Sequence, residues 1–518
     1  AAAAYVAVHG TGDLSSAPLL LAAARRADPD HGSPYAAITQ AYCLLHGEGQ
    51  IADARRLLVS ALAGRRDRDR PDPAMVEGLH ALVDVAAWAG RPDLWGSVRE
   101  AVGDPEVSRS TALHLRAAVL ADPARVSGQA AASLDEEIRR LGAEPDPVRI
   151  TRVAALGLAL DRVVECREPL RRVLDDARMG RSLAAATRAS ALLCAGDVAT
   201  GRWDEAGELA DRGIELCEQH RHRPAAASLR LSRALMAAAR GDEVRTRTLV
   251  DAVAGWAAPR GLQTVVDEGR RVLALAALGR DDLEDAYRHA AAVTAPGRLA
   301  ASSTAALRVS MDLVEAAVRL GRREEARRHV QAMRAAPVHA VSARFAMLTA
   351  ASEALVAEPD LAEACFQEAL AAPGTERWPF DQARVQLAYG QHLRRQRRAG
   401  PSRVFLAAAL DTFQRLEALP WAAQAQHGLR ATGVTIGRPV EPGAAADLTP
   451  DERAAAALAA AGLTNKQIAR RLMVSHHTVA ARLYQAFPKL GVGTRAALRL
   501  AMLDLDGETA GQLASDAS

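Results

Sequence analysis

Helix-breaking residues, often Gly-Arg or Gly-Asp, recur near positions 49, 90, 128, 166, 201, 241, 279, 321, 359 and 400, a spacing of about 35 to 42 residues. Between the breakers lie stretches with apolar residues on one helical face. The clearest follows Gly201-Arg202-Trp203-Asp204-Glu205 and puts Ala206, Leu209, Ala210, Gly213, Ile214 and Cys217 on that face. Others carry Ile51, Ala54, Leu57, Leu58, Ala61 and Leu62 after Gly49, Ala326, His329, Val330 and Met333 after Gly321, and Ala362, Cys365, Phe366, Ala369 and Leu370 after Pro359. One helix pair of this length cannot bury its apolar face alone, so such pairs stack into an α-solenoid. The period predicts an all-α chain, with the helical repeats occupying residues 1–433.

Composition agrees. Alanine, the best helix former, is abundant, and aromatic residues make up only 3% of the chain. The core is therefore expected to be Ala, Leu and Val at close helix–helix contacts. Cys43, Cys166, Cys194, Cys217 and Cys365 form neither a C-x-x-C pair nor a Cys/His cluster. They read as small core residues in a reducing, cytoplasmic setting. No apolar run approaches the roughly 20 residues of a membrane helix, so no membrane partner is expected, and no signal peptide opens the sequence. Phosphate loop, metal cluster and nucleophile–base motif are all absent from the sequence, which predicts no catalytic residue, no cofactor and no metal. Glu218 and His220 stand on a charged helix end, where solvation explains them.

The Trp203-Asp204-Glu205-Ala206 opening resembles a degenerate tetratricopeptide repeat. A solenoid of such pairs presents a long concave groove, expected to take a peptide, a protein or a small-molecule ligand. Gly437, Pro439, Pro442 and Gly443 then interrupt any helix, so 434–447 reads as a linker.

Charge and capping change beyond the linker. The chain has two lysines, Lys466 and Lys489, and both lie here. Residues 448–503 carry eight Lys/Arg against Asp451 and Glu452, a net +6, whereas 504–518 is an acidic, flexible tail with Asp504, Asp506, Glu508 and Asp516. The chain's positive excess therefore sits in one small domain, as phosphate binding requires. Thr449-Pro450-Asp451-Glu452 is a capping box with Pro at the first helical position, and Gly462 suits the helix stop. Thr464-Asn465-Lys466-Gln467 opens a second helix through Leu472, with Ile468, Ala469 and Leu472 inward. Met473-Val474 makes a tight turn, Ser475 caps a third helix from His476 to about Phe487, and Pro488 limits it. Thr494 caps a fourth helix from Arg495 to about Leu503.

In the third helix Val479, Leu483, Ala486 and Leu490 share the inward face. The opposite face carries His477, Ala480, Ala481, Tyr484 and Gln485. Two small residues there allow close approach to a major groove and contact with thymine methyl groups, while Tyr484 and Gln485 supply hydrogen bonds. The helix start, with Ser475, His476 and Thr478, is placed to hold a phosphate on free N–H groups. Lys466, Arg470, Arg471, Arg482, Lys489 and Arg495 are the expected phosphate contacts. The adjacent histidines lack a third ligand and read as surface residues. Short helix, tight turn and capped helix with a polar outer face form a helix-turn-helix.

Leu448-Thr449-Pro450-x-Glu452, Gly462-Leu463-Thr464-Asn465-Lys466-x-Ile468-Ala469, Leu472, Val474-Ser475-x-x-Thr478-Val479 and Lys489-Leu490-Gly491-Val492 resemble the LuxR-type helix-turn-helix. The family's Thr-Val-Lys-x-His run reads Thr478-Val479-Ala480-Ala481-Arg482 here, with Ala480 in place of the usual lysine and Arg482 in place of the usual histidine. Upstream, Trp378-Pro379-Phe380, Tyr389-Gly390 and Asp411-Thr412-Phe413-Gln414-Arg415-Leu416 look like the end of the helical region in large ATP-binding LuxR regulators of actinomycetes. Such regulators carry a P-loop ATPase, but Lys466 is followed by Gln467 and Lys489 by Leu490, so neither lysine completes a phosphate loop. The resemblance implies that the fourth helix dimerises, through Ala496, Leu500 and Leu503. It implies a homodimeric transcriptional regulator that binds double-stranded DNA and works with RNA polymerase, its repeat domain sensing or binding a partner. The alternative is an interaction scaffold whose terminal helix-turn-helix contacts RNA polymerase or another protein.

Overall fold

The computed structural model describes residues 2–8, 12, 14, 16–27, 34–63, 73–102, 111–178, 182–433, 448–461, 463, 465–490 and 498. Among these every regular element is helical: α-helices joined by short 3-10 turns, with a π-helical turn at Cys43–Glu48. The expected linker, the acidic tail, the Gly462 stop, the Thr464 cap and the fourth helix lie outside the described residues, apart from Leu498. The chain divides into two compact units, 1–385 with 416–420, and 386–415 with 421–518.

In the first unit the breakers fall where the sequence places them. Helices begin at Ile51, Gly128, Arg167, Trp203, Glu243, Leu283, Arg323 and Pro359, at the predicted breaks or within four residues of them. Gly49, Gly90, Gly201, Gly241 and Gly321 have φ between 60° and 87°, the left-handed conformation that ends a helix cheaply only for glycine. Each such helix alternates with an inner one: Pro73–Ala89, Thr111–Ala121, Pro147–Ala159, Leu183–Ala199, Arg223–Arg240, Gln263–Gly279 and Thr304–Arg319. Consecutive helices pack on one another, and each inner helix also packs on the next inner helix. Ala206, Ala210, Gly213 and Cys217 are buried as the period predicts, and so are Ala326, His329, Val330 and Met333. Gly213 is required for contact: a Cβ there would stand 2.8 Å from Leu229.

The expected groove is not an open one. Successive superhelical turns touch and close it into a bore. Thr264 Oγ1 donates to the Trp88 carbonyl at 3.0 Å, Ser302 Oγ to the Ala121 carbonyl at 3.0 Å, and Ser342 Oγ to Asp161 at 2.5 Å. These partners lie 176, 181 and 181 residues apart, so a turn takes about four and a half helix pairs. The two tryptophan motifs meet across the same contact: the Phe380 ring packs tilted against Trp203 with ring centroids 5.6 Å apart, and Pro379 packs against Gly201. Alanine-rich helices approach closely enough for this because little side-chain volume separates them.

The second unit begins within the helix Pro379–Arg395, continues in Ala399–Arg415 and Leu419–Arg430, and carries the C-terminal helices. Leu406 is fully buried between Gly390 and Gly428, where added Cβ atoms would lie 2.7 and 3.1 Å from its side chain.

Burial sets the titration of the first unit. It pushes the imidazoles of His80, His222 and His329 down to about 3, 4 and 4, so all three are neutral near pH 7. It pushes the Cys166, Cys194 and Cys217 thiols up to about 12, as suits inert core cysteines. A histidine with a depressed folded-state value gives stability that is complete above 6.5 and lost as pH falls. Each imidazole forced to charge costs on the order of 3 kcal/mol. Asp267, raised by burial to about 6, acts in the opposite sense between 3.8 and 6. The three deeply shifted imidazoles outweigh Asp267 and predict that the thermal unfolding midpoint of the repeat region falls steadily between pH 6.5 and 4; a flat profile would contradict it. Arg221, at φ 59° after the helix Trp203–Gln219, occupies a position that favours glycine. Arg221→Gly should raise stability by about 0.5–1 kcal/mol in denaturant titration.

Candidate nucleic-acid interface

Three helices build the C-terminal site: Pro450–Ala460, Asn465–Leu472 and His476–Lys489. The first starts as the sequence predicts. Thr449 Oγ1 accepts from the Glu452 amide at 3.2 Å, and the Glu452 carboxylate accepts from the Thr449 amide at 2.9 Å, a complete capping box. Ala455, Ala456 and Ala459 give the helix a smooth buried face against the third helix. Ile468 and Ala469 are buried on the second helix and Leu472 is half-buried.

The turn between the second and third helices is a Schellman closure. Met473 adopts φ 52°, and the Val474 amide donates to the Ala469 carbonyl at 3.0 Å, six residues counted inclusively. Met473 is 92% exposed, so the turn presents an apolar tip to solvent. Ser475 then caps the third helix by accepting from the Thr478 amide at 3.0 Å, and its hydroxyl also meets the Thr478 hydroxyl at 2.8 Å. Val479, Leu483, Ala486 and Leu490 are all buried, as their spacing predicts.

The third helix runs to Lys489, past the stop expected at Pro488. Proline removes only its own N–H, and the ladder resumes where the Leu490 amide donates to the Ala486 carbonyl at 2.9 Å. The longer helix places Lys489 over the first turn of the first helix.

Helical backbone over 476–489 puts positions 477, 481, 484 and 485 opposite the buried face, with 480 at the margin between the two. Thr478 is half-buried and Gln485 is exposed. The side chains of Lys466, His476, His477, Ala480, Ala481 and Tyr484, and the whole of Arg495, Ala496, Leu500 and Leu503, lie outside the described residues. Arg470 and Arg471 are exposed and, among the described residues, have no ion-pair partner.

Arg482 and Lys489 are partnered inside the domain, which the sequence reading missed. Lys489 Nζ donates to both oxygens of Glu452, at 2.7 and 3.0 Å, and Arg482 donates to Asp451 at 2.5 Å. The two carboxylates of residues 448–503 thus neutralise these two cations. The remaining formal charge is carried by Arg453, Lys466, Arg470, Arg471, Arg495 and Arg499. Glu452 therefore has two tasks: it caps the first helix and anchors the end of the third. The bond from Lys489, with that from the Thr449 amide, holds its carboxyl below the ordinary value. Among the described residues no group of three or more His, Cys, Asp or Glu side chains could hold a metal ion.

A depressed carboxyl gives stability above its unfolded value of 4.5 that is lost as pH falls through the folded one. Glu452→Gln keeps an acceptor for Thr449 but removes the charge facing Lys489. Hydrogen exchange of the 476–489 amides in the full chain should be faster in this variant at pH 7. The difference from wild type should shrink below pH 4.5, and equal exchange at pH 7 would contradict the anchor.

Among solved structures, the crystal structure of the yeast Tom70 is similar at 13% identity and a TM-score of 0.31, over 81% of this chain and 86% of that chain. A circular tandem repeat protein with novel repeat topology is similar at 15% identity and a TM-score of 0.14, over 83% and 94%. No curated protein matches the chain. The family of bacterial regulatory proteins described as GerE, luxR family, matches residues 446–501, which span all three helices. Those residues are a LuxR-type helix-turn-helix domain, and the chain joins it to a region of stacked helical repeats.

Proposed function

We propose that the chain is a sequence-specific transcriptional regulator whose helix-turn-helix reads duplex DNA and whose repeat region senses a ligand or binds a partner. The observation that carries the reading is the luxR-family match on a domain with a net charge of +6 and a capped third helix. The third helix enters the major groove. Ala480, Ala481, Tyr484 and Gln485 meet base edges there, the alanines admitting thymine methyl groups. Ser475, His476 and Thr478 hold a phosphate at the start of that helix, with His477 beside them. Lys466, Arg470, Arg471 and Arg495 flank it as phosphate contacts.

Arg482 and Lys489 contribute differently in this reading. Their pairs with Asp451 and Glu452 fix the third helix against the first, so their first effect on DNA affinity is through the position of the reading helix. A fourth helix bearing Ala496, Leu500 and Leu503 makes a homodimer, which binds two half-sites related by twofold symmetry. RNA polymerase is the partner through which bound regulator changes transcription.

Selection of bound duplexes from a random pool by the full chain tests the reading and yields the operator sequence. Arg470→Ala and Arg471→Ala should each weaken binding to all sequences alike and reduce the slope of log affinity against log salt by about 0.9. Tyr484→Ala should change the selected sequence instead. Enrichment of no sequence by wild type would contradict sequence-specific reading, and an unchanged operator with Tyr484→Ala would contradict the base-reading face.

A further inference from the structure

The bore of the first unit contains a cavity of about 300 Å³. Its walls come from seven inner helices, between Pro73–Ala89 and Thr304–Arg319, so it forms only when successive turns close. A smaller cavity of about 70 Å³ continues it, sharing Ala195, Ser232, Glu268 and Arg308 with the first. Much of the wall is apolar, including Trp88, Leu120, Leu158, Leu192, Leu231 and Val265.

The charges on the wall of the larger cavity do not balance. Arg152 pairs with Glu77 through two bonds of 2.7 and 3.0 Å, and Arg271 pairs with Glu268 at 2.5 Å. Asp84 must serve two guanidinium groups, Arg116 at 2.5 Å and Arg188 at 2.7 Å. Burial alone would raise its carboxyl, but Arg188 and Arg116 hold it well below the usual range, so it is a full carboxylate. One positive charge is left over. Arg308 supplies another: its Nη2 donates to the Leu158 carbonyl at 2.9 Å, and among the described residues no carboxylate oxygen lies within 4.0 Å of it. Burial pulls this guanidinium below its ordinary value, against the attraction of Glu268.

An arginine stays charged in a protein, and a charge enclosed without a counter-charge is costly unless something compensates it. Guanidinium groups bind carboxylate and phosphate through paired N–H donors. Apolar walls take the body of a ligand, and a few placed polar groups fix its head. At about 30 Å³ for each water, the cavity has room for roughly ten waters, or for an organic acid with about ten carbon atoms.

We propose that the bore binds a small organic anion, with a carboxylate or phosphate head on Arg308 and an apolar body against the walls around Trp88 and Leu192. The inference deepens the sensing role proposed above. Its test needs no DNA, so failure of the DNA reading and failure of this one are separate results. A ligand here would bridge helices more than 200 residues apart in sequence, from Trp88 to Arg308, and would tighten the turn-to-turn closure.

Titration calorimetry of the full chain with 2-naphthoate, 2-naphthyl phosphate and the neutral 2-naphthamide tests the site and separates the two heads. At least one anion should bind about tenfold more tightly than the amide. Arg308→Met should remove that preference and leave the amide's affinity unchanged, and Arg308→Lys should retain part of it. Ala195→Phe fills the bore without altering a charge and should weaken every probe. Wild-type protein that binds neither anion, or binds the amide as tightly, would overturn the proposal. So would an Arg308→Met protein that keeps wild-type affinity for the anions. If Arg308→Met does not fold, the anion–amide comparison on wild type and the Ala195→Phe result still decide the matter.

Discussion

Contact between successive superhelical turns holds the repeat region together. Thr264, Ser302 and Ser342 each cross to a residue about 180 positions earlier in the chain, and all three make a hydrogen bond there. Without these crossings an α-solenoid is quasi-one-dimensional, with each pair touching only its neighbours. With them, the Trp203 motif rests on the Trp378-Pro379-Phe380 motif, and seven inner helices enclose a bore. The small side chains that dominate the composition make the close approach possible, at Gly201 against Pro379 above all. The cavity and its uncompensated guanidinium groups are consequences of that closure.

The C-terminal domain uses one side chain in a comparable way. Glu452 closes the capping box of the first helix and receives Lys489 from the end of the third. A single carboxylate therefore couples the start of the domain to the end of the helix proposed to read DNA. Asp451 does the same for Arg482 two turns earlier on that helix. Both acids of this basic domain serve its internal geometry, and the exposed Arg470 and Arg471 remain for an external anion.

Much of the local structure was legible in the sequence, because caps, breaks and periodicity are local physics. Gly201, Gly241 and Gly321 marked helix ends and take the left-handed conformation. The capping box at Thr449 and the cap at Ser475 form as their spacing predicts. Pairings distant in sequence were not legible. Nothing near Ser302 or Thr264 signals a carbonyl at Ala121 or Trp88, so a long concave groove was expected where turn-to-turn contacts close a bore. Half of Glu452's role could be read from its neighbours, and the half that depends on Lys489 could not. Pro488 misled for a related reason: a proline signals the loss of one N–H, and packing of Leu490 carries the helix end past it.

The central claim is that the capped third helix places this chain on DNA as a reader of discrete sites. Hydroxyl-radical footprinting of the full chain on duplexes recovered by selection tests it most directly. The account predicts protection confined to two half-sites about 10 base pairs apart centre to centre, or a multiple of that. It predicts that protection disappears as salt rises. An unchanged cleavage pattern at low salt, or uniform protection along the duplex, would contradict it.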